Sequence, residues 1–186
     1  SVSGAHHLQN SWFGLTRYDG NQNTLYAGTQ FRTELLEEQA FLTTGFSYRL
    51  ENIRESIELG SNPLSKTYGG SYAKNESTPG LYAEAVLNLF DDKLTIMPGI
   101  RIDFNNLHGS FVTPRFLVKY SPDELTTLRA TAGTGLRTVN FWSENSTLLA
   151  GGRNSVLMEP LQAERAVNFG MSISRIVDFA GLITTI

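Results

Sequence analysis

The stretch LTIMPGIRIDF, residues 94–104, carries two kinds of side chain that alternate along the chain. Its even positions are Leu, Ile, Pro, Ile, Ile and Phe, whereas its odd positions are Thr, Met, Gly, Arg and Asp. Successive side chains of a β-strand point to opposite faces of the sheet, so one face here is apolar and the other mainly polar. A helix, with its period of 3.6 residues, would mix the two kinds. The stretch therefore predicts a long β-strand.

The same alternation extends in both directions from this stretch. It recurs in AFLTTGFSYRL at 40–50, LYAEAVLN at 81–88, FVTPRFLVKY at 111–120, LRATAGTGLR at 128–137 and RAVNFGMSIS at 165–174. We expect about nine strands, near residues 5–18, 24–36, 39–54, 80–90, 93–105, 111–120, 125–137, 161–175 and 178–186. The chain is therefore predicted to be all-β, with antiparallel up-and-down strands.

The connections between these strands alternate in length. Tight turns are predicted at residues 36–39, 91–93, 121–124 and 176–178, and longer loops at 19–23, 55–79, 105–110 and 138–160. Short turns at one end of a sheet and longer loops at the other are typical of a transmembrane β-barrel. Pro98 and Pro114 fall inside strands, where each removes a backbone N–H, so we expect bulges there.

Composition excludes several classes of function. A formal net charge of -3 provides no basic surface for nucleic acid. The absence of cysteine removes disulfides, thiolate zinc sites and thiol nucleophiles. His6 and His7 are neighbours and point to opposite faces of a strand, and His108 lies in a predicted turn, so we expect no metal site. With no spacing that joins a nucleophile to a base, we predict no cofactor, no catalytic residue and no enzyme.

No run approaches the ~20 apolar residues of a membrane-spanning helix, so a membrane location would depend on the strands. Lipid offers no hydrogen bonds to side chains that face it, whereas water or protein inside a barrel can satisfy Arg, Asp, Glu and Asn. Alternation over long neighbouring strands fits a barrel wall with an apolar outside and a polar inside. We therefore predict part of a large transmembrane β-barrel.

The order of several blocks resembles the TonB-dependent outer-membrane receptors, in particular those of Bacteroidetes-type bacteria. The blocks are GLYAEA at 80–85, DKLTIMPGIRID at 92–103 with the pattern G-x-R-x-D, FVTPRF at 111–116, LRATAGTGLRTVN at 128–140, SENS at 143–146, LLAGGR at 148–153 and ERAVNFG at 164–170. Residues 1–79 resemble the family in strand style alone.

This resemblance implies an outer-membrane barrel of about twenty-two strands filled by a plug domain. About nine strands cannot close that circumference, so we expect residues 1–186 to be a single, incomplete segment of the barrel domain without the plug. The implied function is uptake of a siderophore, vitamin or glycan-like solute. The implied partners are outer-membrane lipid, the plug, a small-molecule or oligosaccharide ligand and a TonB-type energising protein, reached through a missing N-terminal segment.

Two groups of residues are candidates for contact with the solute. Six charged residues share the predicted inward face: Arg101, Asp103, Arg115, Arg129, Arg137 and Glu164. They would line the solute path, contact the plug or simply neutralise one another along the wall. Three aromatic residues, Tyr68, Tyr72 and Trp142, lie in the predicted long loops, where recognition by a rigid scaffold is common.

An alternative remains open at this point. The chain could be an all-β binding or adhesion protein of the bacterial surface, whose apolar face packs on a second sheet instead of lipid. The two hypotheses differ in where Ile100, Phe116 and Leu128 lie, because a sandwich would enclose them in a core. Several predicted strands reach the ~9–11 residues that cross a bilayer, which favours the barrel.

Overall fold

The computed structural model describes residues 1–36, 39–60, 66–151, 154–159, 161–179 and 182–185. In this part of the chain nine strands form one antiparallel sheet in which every strand pairs with its neighbours in sequence. The strands are β1 (Val2–Phe13), β2 (Thr16–Leu36), β3 (Ala40–Leu59), β4 (Gly70–Leu89), β5 (Leu94–Asn105), β6 (Gly109–Tyr120), β7 (Thr126–Arg137), β8 (Glu164–Phe179) and β9 (Leu182–Thr185). The predicted all-β, up-and-down architecture is confirmed.

Two of the predicted loops are wrong. Residues 19–23 lie within β2, because the first turn is Gly14-Leu15 and Gly14 adopts φ 64° there. Most of 55–79 is also strand, since β3 runs to Leu59 and β4 starts at Gly70. Both stretches were mistaken for loops because their outward side chains are polar. The predicted turn at Glu37 and Glu38, residues 61–65, residues 152–153 and parts of the last strand lie outside the described residues.

Strands β2, β3 and β4 continue far beyond the end of β5. Asn105 is the last residue of β5, and β4 residues 70–79 pair with β3 alone. We call residues 16–24, 51–59 and 70–78 the extension, and residues 25–36, 40–50 and 79–89 together with β5–β8 the band region. The end of the sheet beyond the extension also receives the β7–β8 connection and is called the loop end.

The two prolines interrupt the hydrogen-bond ladder without shifting its register. Pairing between β4 and β5 stops between Glu84–Gly99 and Leu87–Ile96, which is where Pro98 lies. Pairing between β6 and β7 covers six positions, starting at Arg115–Gly133 beside Pro114. The predicted bulges are therefore wrong, because each missing N–H leaves a gap in the ladder instead.

The outward face of the band region is apolar and uncovered. Ile100, Phe116 and Leu128 are 47%, 45% and 37% exposed and lie on the outward-facing positions of β5, β6 and β7. No second sheet packs on them within the described residues. The sandwich alternative required these three side chains to be enclosed, so the sheet fits a barrel wall instead.

The buried core lies at the loop end, on the inward face of the extension. It contains Tyr18, Ile57, Tyr68, Trp142 and Leu149, with Phe13, Leu59, Tyr72 and Phe141 packed around it. Trp142 and Leu149 belong to residues 138–151, which we call the strap. The strap contains a single helical turn, α1 (Phe141–Glu144), and a 3-10 helix (Ser146–Ala150) that lies against β1. A loop that folds inward thus covers the extension.

Candidate functional site

Charged side chains on the inward face of the band region are paired with one another. The guanidinium of Arg101 donates hydrogen bonds to both carboxylate oxygens of Asp103, at 2.6–2.9 Å, and a further one of 2.7 Å to the hydroxyl of Ser47. This pair fills the space above Gly80, where a Cβ would collide with both side chains. Glycine at position 80 therefore lets the ion pair lie flat on the wall.

Glu76 is the centre of a second network of polar side chains, in the extension close to the band region. Its side chain is 1% exposed and receives Lys74 Nζ at 2.8 Å, Arg49 at 3.3 Å and the amide of Asn105 at 2.8 Å. Lys74 also donates to the side-chain oxygen of Asn140 at 2.7 Å, which ties the strap to the wall. A buried carboxylate needs such partners to offset the loss of hydration.

A cavity of about 430 Å³ opens between these two networks and the start of the strap. Its lining combines three arginines with three acids and several hydroxyl and amide groups: Tyr26, Arg49, Glu51, Glu76, Thr78, Arg101, Asp103, Asn105, Thr113, Leu136, Arg137, Thr138 and Asn140. This size is within the range of small-molecule sites. The arrangement can hold a polar solute by hydrogen bonds and has no group placed for a chemical step.

The strand register places all six predicted charged residues on the inward face. Arg101 and Asp103 are joined on β5, while Arg115 contacts Glu84 at 3.1 Å. Arg137 forms ion pairs with Glu144 of the strap and with Glu164. Arg129 has no acidic partner in the described part of the chain and lies opposite Lys119. Their contact with a solute stays a prediction.

The three predicted aromatic residues come together, but they face one another. Tyr68 and Trp142 are 3% and 6% exposed, and the rings of Tyr68 and Tyr72 each lie 5.4 Å from that of Trp142. Tyr72 belongs to β4 and not to a loop, and its hydroxyl donates to the backbone oxygen of Tyr68 at 2.6 Å. Whether they contact a ligand stays a prediction.

The sequence interpretation missed Lys74, Glu76, Asn105 and Asn140 as members of the site. Lys74 and Glu76 were assigned to a loop, although Tyr72, Lys74, Glu76 and Thr78 alternate with Ser71, Ala73, Asn75 and Ser77. That alternation between two polar sets was the available signal. Contact between β4 and Asn140 spans 66 residues and had no local signal.

The described residues contain no group of three His, Cys, Asp or Glu side chains that could hold a metal ion. They also contain no helix that is long and apolar enough to cross a membrane.

Comparison with known proteins identifies the family. The model described as "TonB dependent receptor-like, beta-barrel" matches residues 2–178. No curated protein matches the chain. Proteins of this family lie in the bacterial outer membrane and are transport receptors, not enzymes. The predicted location is therefore confirmed; nothing bears on the Bacteroidetes-type origin.

Solved structures with a similar fold include siderophore receptors of Pseudomonas aeruginosa. The siderophore receptor PirA is 19% identical, with a TM-score of 0.63, and the alignment covers 95% of this chain and 35% of that one. A mutant of the ferric enterobactin receptor PfeA is 17% identical, with a TM-score of 0.63 and coverage of 90% and 26%. A second PfeA mutant is 16% identical, with a TM-score of 0.62 and coverage of 98% and 32%.

The chain spans about a third, or less, of the length of these structures. At such low identity the likeness concerns the fold, and it agrees with the open sheet of up-and-down strands. The family model, in contrast, covers nearly the whole chain. The chain therefore belongs to the TonB-dependent receptor-like family and forms part of its outer-membrane β-barrel.

Proposed function

We propose that this chain is a wall segment of an outer-membrane receptor that actively takes up an exogenous solute. The observation that carries the proposal is the polar cavity on the inward face, behind a wall whose outward face is apolar. Outer-membrane lipid would cover Ile100, Phe116 and Leu128, and the inward charges would line the route of the solute. The loop end would then face the outside of the cell.

The remainder of the receptor would supply what this segment does not contain. A plug domain would fill the barrel, and Arg129, with Lys119 opposite, offers unpaired positive charge that a plug carboxylate could neutralise. A TonB-type protein of the inner membrane would contact a segment that precedes the barrel and would supply energy. The proposal assigns no catalytic step to this chain.

The class of solute is proposed to be a siderophore, a vitamin or a glycan-like molecule. The siderophore receptors among the structural neighbours support the first of these. The cavity lining is charge-balanced, because Arg49, Arg101 and Arg137 face Glu51, Glu76 and Asp103. Such a lining suits a solute that is close to neutral and rich in hydrogen-bonding groups. We therefore place an uncharged oligosaccharide or a neutral chelate ahead of a multiply charged one.

The test is uptake by cells that carry the full-length receptor. A strain that lacks the receptor is grown with ferric chelates, corrinoids or oligosaccharides as the limiting nutrient, and the gene is then restored. Restored growth on one class supports transport, and prompt loss of uptake of that labelled nutrient after a protonophore is added supports its energisation. Equal growth with and without the gene on every nutrient would contradict it.

Matched variants test whether the solute passes along the inward face of the wall. Arg101→Gln removes an inward guanidinium beside the cavity, and we expect it to slow uptake. Arg54→Gln removes an exposed guanidinium on the outward face of β3 and should leave uptake unchanged. Equal uptake by both variants would argue against a solute path past Arg101.

A further inference from the structure

Four polar side chains form a transverse row on the outward face of the sheet. His6 of β1 lies opposite Asn23 of β2. Asn23 lies opposite Asn52 of β3, which in turn lies opposite Asn75 of β4. We call these four residues the amide row. Neighbouring strands are about 4.8 Å apart, so the row is roughly 14 Å long.

The amide row borders the apolar outward face of the band region. Leu25 and Leu50 pair with each other two residues closer to the centre of the band, on the same outward face, and are 44% and 39% exposed. The band region meets outer-membrane lipid in the proposed receptor, and lipid headgroups lie directly beyond the hydrocarbon. The amide row is therefore at the level of the headgroups.

Asparagine is an unusual residue at these positions. Asn is depleted in strands, whereas Thr is also polar and is enriched in them. The side-chain amide of Asn52 donates to that of Asn75, and His6 Nδ1 lies 2.7 Å from Asn23 Oδ1. Among the described residues, Asn52 Oδ1 and Asn75 Nδ2 have no hydrogen-bond partner. The row thus presents an acceptor beside a donor, a pattern that sugar hydroxyls can satisfy because each hydroxyl both donates and accepts.

The charges around the amide row cancel. On the outward positions of β2 and β3 in the extension, Arg17 and Arg54 are matched by Asp19 and Glu58. A balanced surface does not attract a phosphate headgroup by charge, whereas sugar hydroxyls require hydrogen-bond partners alone. The surroundings of the row therefore favour a sugar headgroup over an anionic one.

The same strands carry an apolar hollow of about 410 Å³ on the outward face of the band region. The short side chains of Thr44 and Ala83, which lie opposite each other on β3 and β4, form its floor. Larger side chains flank this floor on the neighbouring strands, Phe31 on β2 and Ile100 on β5. The hollow can therefore receive a narrow apolar group such as an acyl chain.

The distance between the row and the hollow suits one lipid molecule. Thr44 and Asn52 are eight residues apart on β3, which corresponds to about 26 Å of strand. Barrel strands are tilted by roughly 40°, so this length covers about 20 Å of membrane depth. One leaflet contributes about 15 Å of hydrocarbon. With the amide row among the headgroups, the hollow lies at the depth of the acyl-chain ends.

We propose that the outward face of β2, β3 and β4 binds a glycolipid, with its sugar headgroup on the amide row and an acyl chain in the hollow. A molecule that is rich in hydroxyl groups at one end and apolar at the other matches both features at once. The inference rests on the proposed function only in placing the loop end outside the cell, so the ligand belongs to the outer leaflet. It does not depend on which solute is taken up.

The test measures lipid binding to the purified full-length receptor by native mass spectrometry, in tetraethylene glycol monooctyl ether, a detergent without sugar. The probes are digalactosyl diacylglycerol and phosphatidylglycerol with the same acyl chains. We expect the galactolipid to bind more tightly. Asn52→Thr should weaken galactolipid binding by about two- to tenfold, because hydrogen bonds to the headgroup are lost, and should leave phosphatidylglycerol unchanged. Equal affinity for the two lipids would overturn the proposal.

Asn10→Thr is the matched control for the headgroup. Asn10 lies on the outward face of β1 opposite Asp19, outside the amide row, and is exposed. This variant should bind the galactolipid as the unaltered receptor does. An equal loss in Asn10→Thr and Asn52→Thr would show that any outward Asn contributes, and the amide row would be rejected as a site.

A second pair of variants tests the hollow. Ala83→Phe fills the floor and should weaken binding of both lipids by about tenfold, the effect of roughly two methylene groups without contact. Ala132→Phe makes the same change on the outward face of β7, away from the hollow, and should weaken neither. Equal effects of the two variants would overturn the acyl-chain position.

The same spectra test another occupant of this face. A receptor dimer without bound galactolipid would show that a second copy covers the amide row, and the glycolipid site would be rejected. Uptake is not measured here, so failure of this proposal is distinguishable from failure of the transport proposal.

Discussion

The inward face of strand β3 carries buried apolar side chains in the extension but not in the same proportion in the band region. In the band region the inward positions include Ser47 and Arg49, and the outward positions Phe46, Tyr48 and Leu50 are mainly apolar. In the extension the inward positions are Ile53, Ile57 and Leu59 together with Glu51 and Glu55, while the outward ones are Asn52, Arg54, Ser56 and Glu58. The same period of two therefore buries different residues on either side of residues 50–53.

The surroundings of each half explain this difference. Outward side chains of the band region meet lipid in the proposed receptor, and those of the extension meet water. Inward side chains meet a polar interior in the band region, whereas in the extension they meet the strap. The change of pattern therefore marks the level at which the wall leaves the membrane, and substitutions in the two halves of the sheet test this.

The largest effect is expected at Ile57, which is 2% exposed in the strap core. Ile57→Ala should reduce the stability of that core by about 2–5 kcal/mol, because it leaves a cavity among tightly packed side chains. Hydrogen exchange of residues 141–150 measures the loss. Unchanged protection of the strap would show that the extension does not need this inward packing.

Arginine at Ile100 tests the outward face of the band region. Ile100→Arg should destabilise the full-length barrel in lipid by about 2–4 kcal/mol, because the charge would face hydrocarbon. Ser56→Arg, on the outward face of the extension, should change stability by less than about 0.5 kcal/mol. Unfolding by denaturant in lipid vesicles compares the two. Equal losses would place both positions in the same surroundings.

The ion pairs that β4 forms through Glu76 and Glu84 should differ in their contribution to stability, because the first is buried and the second is exposed. Glu76→Gln removes a buried carboxylate from Lys74 and Arg49, and we expect a loss of roughly 1–3 kcal/mol. Glu84→Gln breaks the pair with Arg115, whose side chain is well exposed, and should cost less than about 1 kcal/mol. Denaturant unfolding of the full-length receptor measures both losses. A larger loss at Glu84 would reverse the proposed order.

The smallest effect is expected on the outward face of the extension. There Arg17 Nε lies 2.8 Å from Asp19 Oδ2, and both side chains are accessible to solvent. Arg17→Gln should lower the free energy of unfolding by less than about 1 kcal/mol, and added salt should shrink the difference further. A larger, salt-independent loss would mean that this face is covered in the intact receptor.

The sequence predicted the band region well because each of its strands keeps one environment on each face. Positions 94–104 therefore alternate cleanly, and the inward placement of Arg101 and Asp103 followed from that alternation. The extension was predicted poorly, because polar residues such as Asn21, Asn23 and Asn75 were assigned to loops, although they lie in strands whose outward face is polar. There the strands are held by partners distant in sequence, which local pattern does not contain.

The candidate site shows the same contrast between residues that the sequence could predict and residues that it could not. Arg101, Asp103, Arg115 and Arg137 could be predicted to share the inward face because parity alone decides it. Alternation also indicated a shared face for Glu76 and Lys74, but their role could not be predicted, because it comes from contact with Arg49 on the neighbouring strand and with Asn140 of the strap. Trp142 was predicted as a loop aromatic, but its slot between Tyr68 and Tyr72 depends on how a long connection folds back.

The gap beside Pro114 has a mechanical consequence. Neighbouring strands of a barrel resist separation through their shared ladder, and β6 and β7 share six paired positions where β2 and β3 share a far longer register. Between β1 and β8 this is the shortest ladder, so under a pulling force that part of the wall should separate first between β6 and β7. Pro114 therefore determines where this part of the wall separates.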